Sequence, residues 1–538
     1  MQMKKYHLGA IPGIGTLALT LTACSSPDTP RQPNIILILA DDMGYSDPGC
    51  FGSEIKTPNL DLLAEQGVRM TQFYNASRSC PSRASLLTGL YQHQAGVGDM
   101  VSDLGYPSYQ GYLNDQCVTL GEVLGYNGYN TYMSGKWHVG GRPEVHPLRR
   151  GFDKYFGLID GAGSYFERRP YRINQQAPRW MLGDEDFNPP HSGFYLTDAI
   201  TDHAISFIDG EDEKEEPFFL YLAYTAPHWP LHALPEDIAK YRGSYMEGWD
   251  VLRQERYRKM LETGIIDESV KLSPRDEMSM DWDSLPDQEK EMWDLRMAVY
   301  AAMIDRLDMN IGRVLNKLKE MGEEENTLVI FLADNGGCHE PIKNRGNYLP
   351  TTAETGTRDS FDAYEYPWAN ASNTPFRMFK HWVHEGGIST PFIACYPAEI
   401  KPGGIIGQPG HIIDIMPTLL DFAGGTYPET YNGKAILPME GISLVPVLKG
   451  KGVKREAPLF WEHEGNRAVR SGDWKLVSAY DYQARKFREW ELYDISDDRS
   501  ELVDLAEKNP EIVAKMVSQY DEWCKRAGVV PKEIIDAR

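Results

Sequence analysis

The sequence predicts an α/β protein: one large mixed sheet sandwiched by helices, followed by a small C-terminal antiparallel sheet with a covering helix. Three observations carry this expectation. Asn34-Ile35-Ile36-Leu37-Ile38-Leu39-Ala40 is a continuous apolar run, as expected of a strand buried on both faces, with a near-twin at Thr327–Ala333 and a third counterpart at Phe218–Tyr224. Met303, Ile304, Leu307, Ile311, Val314, Leu315 and Leu318 recur at helical spacing, which marks a helix packing one stripe on the core. After about residue 450 the pattern changes to short strand-like runs at Leu459–Glu462, Arg467–Arg470, Trp474–Val477 and Trp490–Asp494, then an amphipathic helix from about Pro510 to Lys525.

The elements in chain order begin with residues 1–23. Lys4 and Lys5 precede an apolar run from Leu8 to Leu21 that ends in Leu21-Thr22-Ala23-Cys24. That run is too short and Gly-rich to span a bilayer and reads as an export signal. Its ending resembles a bacterial lipobox, cut before Cys24, whose thiol then carries lipid. Residues 24–33 read as a solvated tether, 34–450 as the main domain and 451–538 as an α+β subdomain. Residues 240–292, charged and rich in Met and Trp, predict a helical insertion near the mouth of the site. Residues 339–375 lack periodicity and predict a long loop of the kind that carries function.

At 538 residues the chain is long enough to bury a large core. Its formal net charge of -23 argues against nucleic acid or acidic lipid as partner. An anionic substrate would therefore need a locally positive pocket. Besides Cys24, six cysteines form no CxxC or CxxH pattern, so neither a zinc site nor a redox pair is indicated.

Each of the three buried runs stops at polar, ligand-type residues: Asp41-Asp42, Asp334-Asn335 and Thr225-Ala226-Pro227-His228. In open α/β sheets, sites lie beyond the carboxyl ends of strands. Asp41, Asp42, Asp334 and Asn335 offer only oxygen, which suits Ca²⁺ or Mg²⁺ and not zinc. A lone Asp pair at a strand end is ordinarily a turn or cap; the pairing of two such ends favours a metal.

Ser79-Cys80-Pro81-Ser82-Arg83, followed by Leu87-Thr88-Gly89, resembles the signature of the type I, formylglycine-dependent sulfatases of the alkaline phosphatase superfamily. In that signature a Ser or Cys four residues before the Arg is oxidised to formylglycine. The register selects Ser79, because counting from Cys80 displaces both the proline and Arg83; Cys80 is left as a small packed thiol. Gly135-Lys136-Trp137-His138, Pro227-His228-Trp229-Pro230 and Lys380 ahead of Glu385-Gly386-Gly387-Ile388 resemble further elements of the family. So do Asp41-Asp42-Met43-Gly44-Tyr45-Ser46-Asp47 and Trp474-Lys475-Leu476, which are similar to the bacterial arylsulfatase branch.

The resemblance implies an alkaline-phosphatase-like fold and hydrolysis of sulfate monoesters, aryl sulfates in the assay and sulfated carbohydrate in the cell. It implies one Ca²⁺ held by Asp41, Asp42, Asp334, Asn335 and the modified Ser79. Arg83 would hold the hydrated aldehyde, and Lys136 and Lys380 would bind sulfate oxygens. His228 would protonate the leaving alcohol, with Lys380, and His138 would take the proton that lets the hydrate collapse, releasing sulfate from a covalent intermediate. A formylglycine-generating maturation enzyme is implied as partner, of the serine-specific anaerobic class, acting before export. The expected location is the periplasm or outer membrane, through lipid on Cys24.

Two other readings compete. A phosphatase or phosphodiesterase of the same superfamily would use unmodified Ser79 and two zincs, and Asn335 stands where an additional His ligand is expected. A non-catalytic lipoprotein binding sulfated glycans would not need every catalytic position filled. Candidate specificity residues are the loop Asp160–Tyr171, with Arg168 and Arg169, and the vicinity of Trp461 and His463.

Overall fold

The computed structural model describes residues 31–209, 216–452 and 455–537. The expected export leader, Cys24 and most of the tether lie outside the described residues. From Gln32 onward the chain forms one compact unit.

Among the described residues, the main sheet contains eleven strands. In chain order these are β1 (Asn34–Ala40), β2 (Val68–Tyr74), β3 (Asn130–Gly135), β4 (Lys154–Leu158), β5 (Trp180–Leu182), β6 (Glu185–Asp186), β7 (Phe218–Ala223), β8 (Thr327–Ala333), β9 (Ser389–Cys395), β10 (Gly404–Ile406) and β11 (Gly410–His411). The spatial order is β10-β2-β9-β8-β1-β7-β3-β4-β5-β6, with β11 also on β2. The three apolar runs are thus adjacent: β1 lies between β8 and β7, parallel to both. β3 extends the parallel block beyond β7, and β9 runs antiparallel to β8.

Period-2 geometry makes β1 feed both faces of the sheet. Ile36, Ile38 and Ala40 join one core with the helices Pro58–Gln66, Leu196–Ile208 and Asp287–Met321. Ile35, Leu37 and Leu39 join the other, with Ser79–Thr88, Leu120–Tyr126 and Ile415–Ala423. Every residue of β1 is buried, and each full-sized aliphatic side chain so buried contributes about 1.5–3 kcal/mol. The helical stripe from Met303 to Leu318 belongs to the 35-residue helix Asp287–Met321 and faces the core as predicted.

The C-terminal antiparallel sheet has the predicted four strands, Leu459–His463, Asn466–Ser471, Trp474–Ser478 and Glu491–Asp494, in that order. The helix Pro510–Ala527 covers it through Met516, Tyr520 and Trp523. Residues 240–292 are only partly helical: Trp249–Glu262 is a helix, and the chain beyond is irregular until a short turn at Trp282–Ser284. Its Trp249 and Trp282 pack on Trp368 in the core, and none of its residues lines the cleft described below. The reason is its tryptophans, which turn the segment inward.

Candidate active site

The carboxyl ends of β1, β8, β7 and β3 converge with the amino end of Ser79–Thr88. That helix starts on an extended Arg78 and ends on Gly89, whose positive φ closes the last turn through its N–H to Ser85 O. Pro81 falls in the first turn, where its missing N–H costs nothing. Ser79 therefore occupies the first helical position, where unpaired N–H groups and the helix dipole favour negative charge.

Ser79 Oγ lies 3.2 Å from Asp41 Oδ1 and 3.2 Å from Asn335 Oδ1. Asn335 Nδ2 donates to Asp42 Oδ1 (2.7 Å), and the Asp42 N–H to Asp334 Oδ1 (3.1 Å). Arg83 grips Asp334 Oδ2 through Nε (3.1 Å) and Nη2 (2.9 Å). Lys136 Nζ contacts Asp41 Oδ2 at 2.6 Å. Lys380 Nζ takes both oxygens of Asp42, at 2.7 and 2.9 Å. The residues predicted as catalytic or metal-ligating (Asp41, Asp42, Ser79, Arg83, Lys136, His138, His228, Asp334, Asn335 and Lys380) are brought together, and all are buried.

Local backbone geometry reflects the crowding. Asp42 and His138 hold left-handed conformations at φ 66 and 54, each costing of order ~1–3 kcal/mol. Gly135, which delivers Lys136, has φ 124, and a Cβ there would lie 1.8 Å from Ala223 O. Gly161 faces His138, and a Cβ on it would come within 2.4 Å of that ring's Nε2.

Electrostatics divide the groups by role. Burial works to raise the Asp42 carboxyl, but His228, Lys380, Lys136 and the Asn335 amide outweigh it and hold it well below the usual range. Burial, then repulsion from Asp41, pushes Asp334 up to about 6. Lys380 stays firmly charged: burial opposes it, and Asp42 overrides burial. Lys136 is lowered, chiefly by burial. His138 falls well below its ordinary value through burial and the cations Lys136 and Arg83, so it is a neutral base. Burial takes His228 down to about 3 against the pull of Asp42. Its Nδ1 lies 2.6 Å from Trp229 O, an acceptor only, so Nδ1 carries the proton and Nε2 faces Asp42 at 3.4 Å.

Three carboxylates (Asp41, Asp42, Asp334) are matched by three cations (Arg83, Lys136, Lys380). The oxygens of Asp41, Asp42, Asp334 and Asn335 form a hard donor set that suits one Ca²⁺-like ion. Such an ion would leave the floor net positive, as an anionic ester requires. Asp41, Asp42 and His228 also place ligand atoms within 4.8 Å of one another. A metal between Asp42 and His228, however, would have to displace the Lys380 ammonium.

Ser79, His138, His228 and Lys380 open into a cleft of about 520 Å³; Asp41, Asp42, Arg83, Lys136, Asp334 and Asn335 lie beneath it. Arg172 and Arg179, with Tyr171, Trp229, Glu340 and Tyr348, form much of its wall. Arg168 and Arg169, expected there, are not among the lining residues: Arg168 pairs with Asp186 and Arg169 with Asp359. Trp461 is core, its indole N–H donated to Asn75 O at 2.8 Å, and His463 is buried away from the cleft. Asp160 and Tyr171, the ends of the expected specificity loop, do line it. Arg179 carried one sequence signal, its place in Pro178-Arg179-Trp180 just before a strand, and Arg172 carried none. Cys80 Sγ packs 3.2 Å from His138 Nε2, and burial pushes its thiol up to about 12, so it stays protonated. No disulfide forms among the described cysteines.

Comparison with known proteins gives the family. Residues 33–425 match the Sulfatase family, and residues 376–525 match the family "N-sulphoglucosamine sulphohydrolase, C-terminal". An uncharacterized sulfatase of Schizosaccharomyces pombe is 38% identical over 93% of this chain and 95% of its own. An arylsulfatase of Klebsiella aerogenes is 37% identical over 80% of this chain and 95% of its own. The crystal structure of Ps i-CgsB in complex with k-i-k-neocarrahexaose superposes with a TM-score of 0.67 at 27% identity, covering 91% of this chain and 92% of that one. The chain belongs to the sulfatase family and is a sulfuric ester hydrolase built on the mixed-sheet fold predicted from its sequence.

Proposed function

We propose that the chain hydrolyses sulfate monoesters of carbohydrates, using a formylglycine made from Ser79 and one Ca²⁺ held by Asp41, Asp42, Asp334 and Asn335. The observation that carries this reading is the equal 3.2 Å approach of Ser79 Oγ to Asp41 and Asn335, at the junction of cleft and carboxylate floor. When present, the hydrated aldehyde supplies the attacking hydroxyl, and the cation polarises it and the sulfuryl oxygens.

The chain's own residues do the rest. Arg83 fixes Asp334 from two nitrogens and so sets that carboxylate within the floor. Lys136 and Lys380 present positive charge to the sulfuryl oxygens without having to reorganise. His228, with Lys380, delivers a proton to the leaving oxygen; the arriving anion raises the imidazole's low proton affinity. Neutral His138, on the cleft wall, accepts the proton when sulfate is released. Aromatic faces at Tyr171, Trp229 and Tyr348, beside Arg172 and Arg179, suit a sugar ring bearing anionic groups. The relative Ps i-CgsB, solved with k-i-k-neocarrahexaose, supports a carbohydrate substrate. Lipid attachment at Cys24, export to the bacterial envelope and a separate subdomain over 451–538 belong to the same proposal.

The test is peptide mass spectrometry across residues 77–83 of protein made in cells able to mature serine-type sites, paired with an aryl sulfatase assay. A two-hydrogen loss at Ser79 that tracks activity supports the reading. Full activity with Ser79 unchanged overturns the formylglycine reading; faster turnover of an aryl phosphate than of the aryl sulfate by that unmodified protein would favour the phosphatase-like alternative, for which the Asp41, Asp42 and His228 cluster is the structural argument.

A further inference from the structure

A second cluster of metal-binding side chains lies apart from the carboxylate floor, where the C-terminal sheet meets the loop carrying Lys380. His463 ends the strand Leu459–His463, and Glu464-Gly465 turn the chain into Asn466–Ser471. Both turn residues have positive φ, 48 and 89, as a two-residue hairpin of this hand demands. Glu464 is an uncommon choice there, since Asn or Gly adopts that conformation at lower cost. His381, also left-handed at φ 91, approaches from the other side.

His381, His463 and Glu464 each place a ligand atom within 4.8 Å of the others. Glu464 Oε2 is 3.1 Å from His381 Nδ1 and 4.0 Å from His463 Nε2. Ligands at 2.0–2.1 Å around a tetrahedral zinc stand about 3.3 Å apart, so the separations bracket the required value. The decisive observation concerns His463. Its side chain is 0% exposed, yet neither ring nitrogen has a hydrogen-bond partner. Buried polar atoms are almost always satisfied, and an orphaned imidazole facing a carboxylate and a second imidazole points to a missing ligand.

The surroundings fit an ion. Tyr482 Oη and Asn466 Nδ2 lie 2.7 and 3.2 Å from His381 Nε2, orienting that ring so that Nδ1 faces Glu464. Side-chain exposures of 12% at His381 and 28% at Glu464 leave a route for the ion. Arg78 and Lys532 add opposing positive charge, and Asp99, whose carboxyl burial and then Glu464 push up to about 7, carries only part of a negative charge near neutrality. Two imidazoles and one carboxylate exclude Ca²⁺ and Mg²⁺ as preferred occupants and select Zn²⁺ or a similar borderline cation.

We propose that His381, His463 and Glu464 form a second metal site, for Zn²⁺, that clamps the C-terminal hairpin onto the loop bearing Lys380. The clamp acts by position. The His381 N–H is bonded to Ser77 O (2.8 Å), so the ion would tie together the segments presenting Lys380 and Ser79.

The experiment is calorimetric titration of chelator-treated, refilled protein with ZnCl₂ in excess Ca²⁺, with thermal melts alongside. The expected result is one zinc per chain, a zinc-dependent rise in Tm, and at least tenfold weaker binding in both His463→Asn and Glu464→Gln. Asp334→Asn, on the other floor, should bind zinc as the wild type does. Co²⁺ substituted for zinc should give the visible absorption of a four-coordinate site, lost in Glu464→Gln. His463→Asn alters a fully buried residue, so if it does not fold, Glu464→Gln at the hairpin tip decides alone. Absence of zinc binding, equal binding in the folded variants, or loss of zinc in Asp334→Asn overturns the proposal.

Discussion

Lys380 Nζ sits 2.7 Å from Asp42 Oδ1 and 2.9 Å from Asp42 Oδ2, a buried ammonium bridging both oxygens of one carboxylate. The pair is a counterweight: it neutralises Asp42 and leaves the ammonium aimed at the cleft. Lys380→Met should lower kcat for an aryl sulfate by about 10²–10³-fold, the usual loss when one fixed positive donor is removed. Steady-state kinetics checks this; a change confined to KM would show that Lys380 serves only binding.

Ser79 and its neighbour separate cleanly. Ser79→Ala should abolish turnover. Cys80→Ala should keep activity within a few-fold, since its thiol is buried and protonated, while losing about 1–2 kcal/mol of stability from the small cavity. Denaturant melts and an aryl sulfatase assay read both quantities.

Removing the cation should expose the balance of charges on the floor. A chelator should abolish activity, Ca²⁺ should restore it, and Ca²⁺ at a hundred times its Kd should stabilise the fold by about 2.7 kcal/mol. Thermal melts with and without Ca²⁺ measure this, and Asp41→Asn should blunt the shift.

On the proposed reading the cleft wall sets specificity. Arg172 Nη2 lies 3.1 Å from Tyr348 Oη, and both face the cleft. Arg172→Ala should raise KM for a sulfated oligosaccharide by about 10–100-fold, equivalent to one charge-assisted hydrogen bond, and leave a small aryl sulfate nearly unaffected.

Acid stability has a different seat. Glu385 is fully buried between Lys475 (2.9 Å) and Arg499 (3.1 Å). Burial works to raise its carboxyl, but Lys475, Arg499 and Arg470 hold it at about 2, below its ordinary 4.5. A lowered carboxyl stabilises the fold above the unfolded value, so this contribution is complete above pH 4.5 and is lost as pH falls toward 2. Glu385→Gln should cost about 3–5 kcal/mol near neutrality, and the gap from wild type should narrow below pH 4.5. Melts across that range test the sign.

Much of this was legible in the sequence because it rests on local pattern. Apolar runs ending in Asp41-Asp42 and Asp334-Asn335 announce buried strands, since runs this short, apolar almost throughout and rich in β-branched residues, suit a strand covered on both faces. The spacing from Ser79 to Arg83 announces one helical turn. The cleft wall was not legible. Arg168, Arg169, Arg172 and Arg179 look alike in sequence, and which of them reaches the cleft depends on partners 10–190 residues away, such as Asp186 and Asp359. Trp461 misled for the opposite reason: an aromatic residue suited to a sugar platform is equally suited to an apolar core, here that of the C-terminal sheet.

The helix Ser79–Thr88 has all ten residues buried. On the proposed maturation, a catalyst acting on the folded protein could approach Arg78 and Ser79 from the cleft but not the rest of that helix. If Ser79 is oxidised as proposed, this burial favours chemical editing while the polypeptide is still a thread, before folding encloses the segment. On that proposal a chain that folds before the editing would stay unmodified, and the yield of working enzyme would depend on which of the two events comes first.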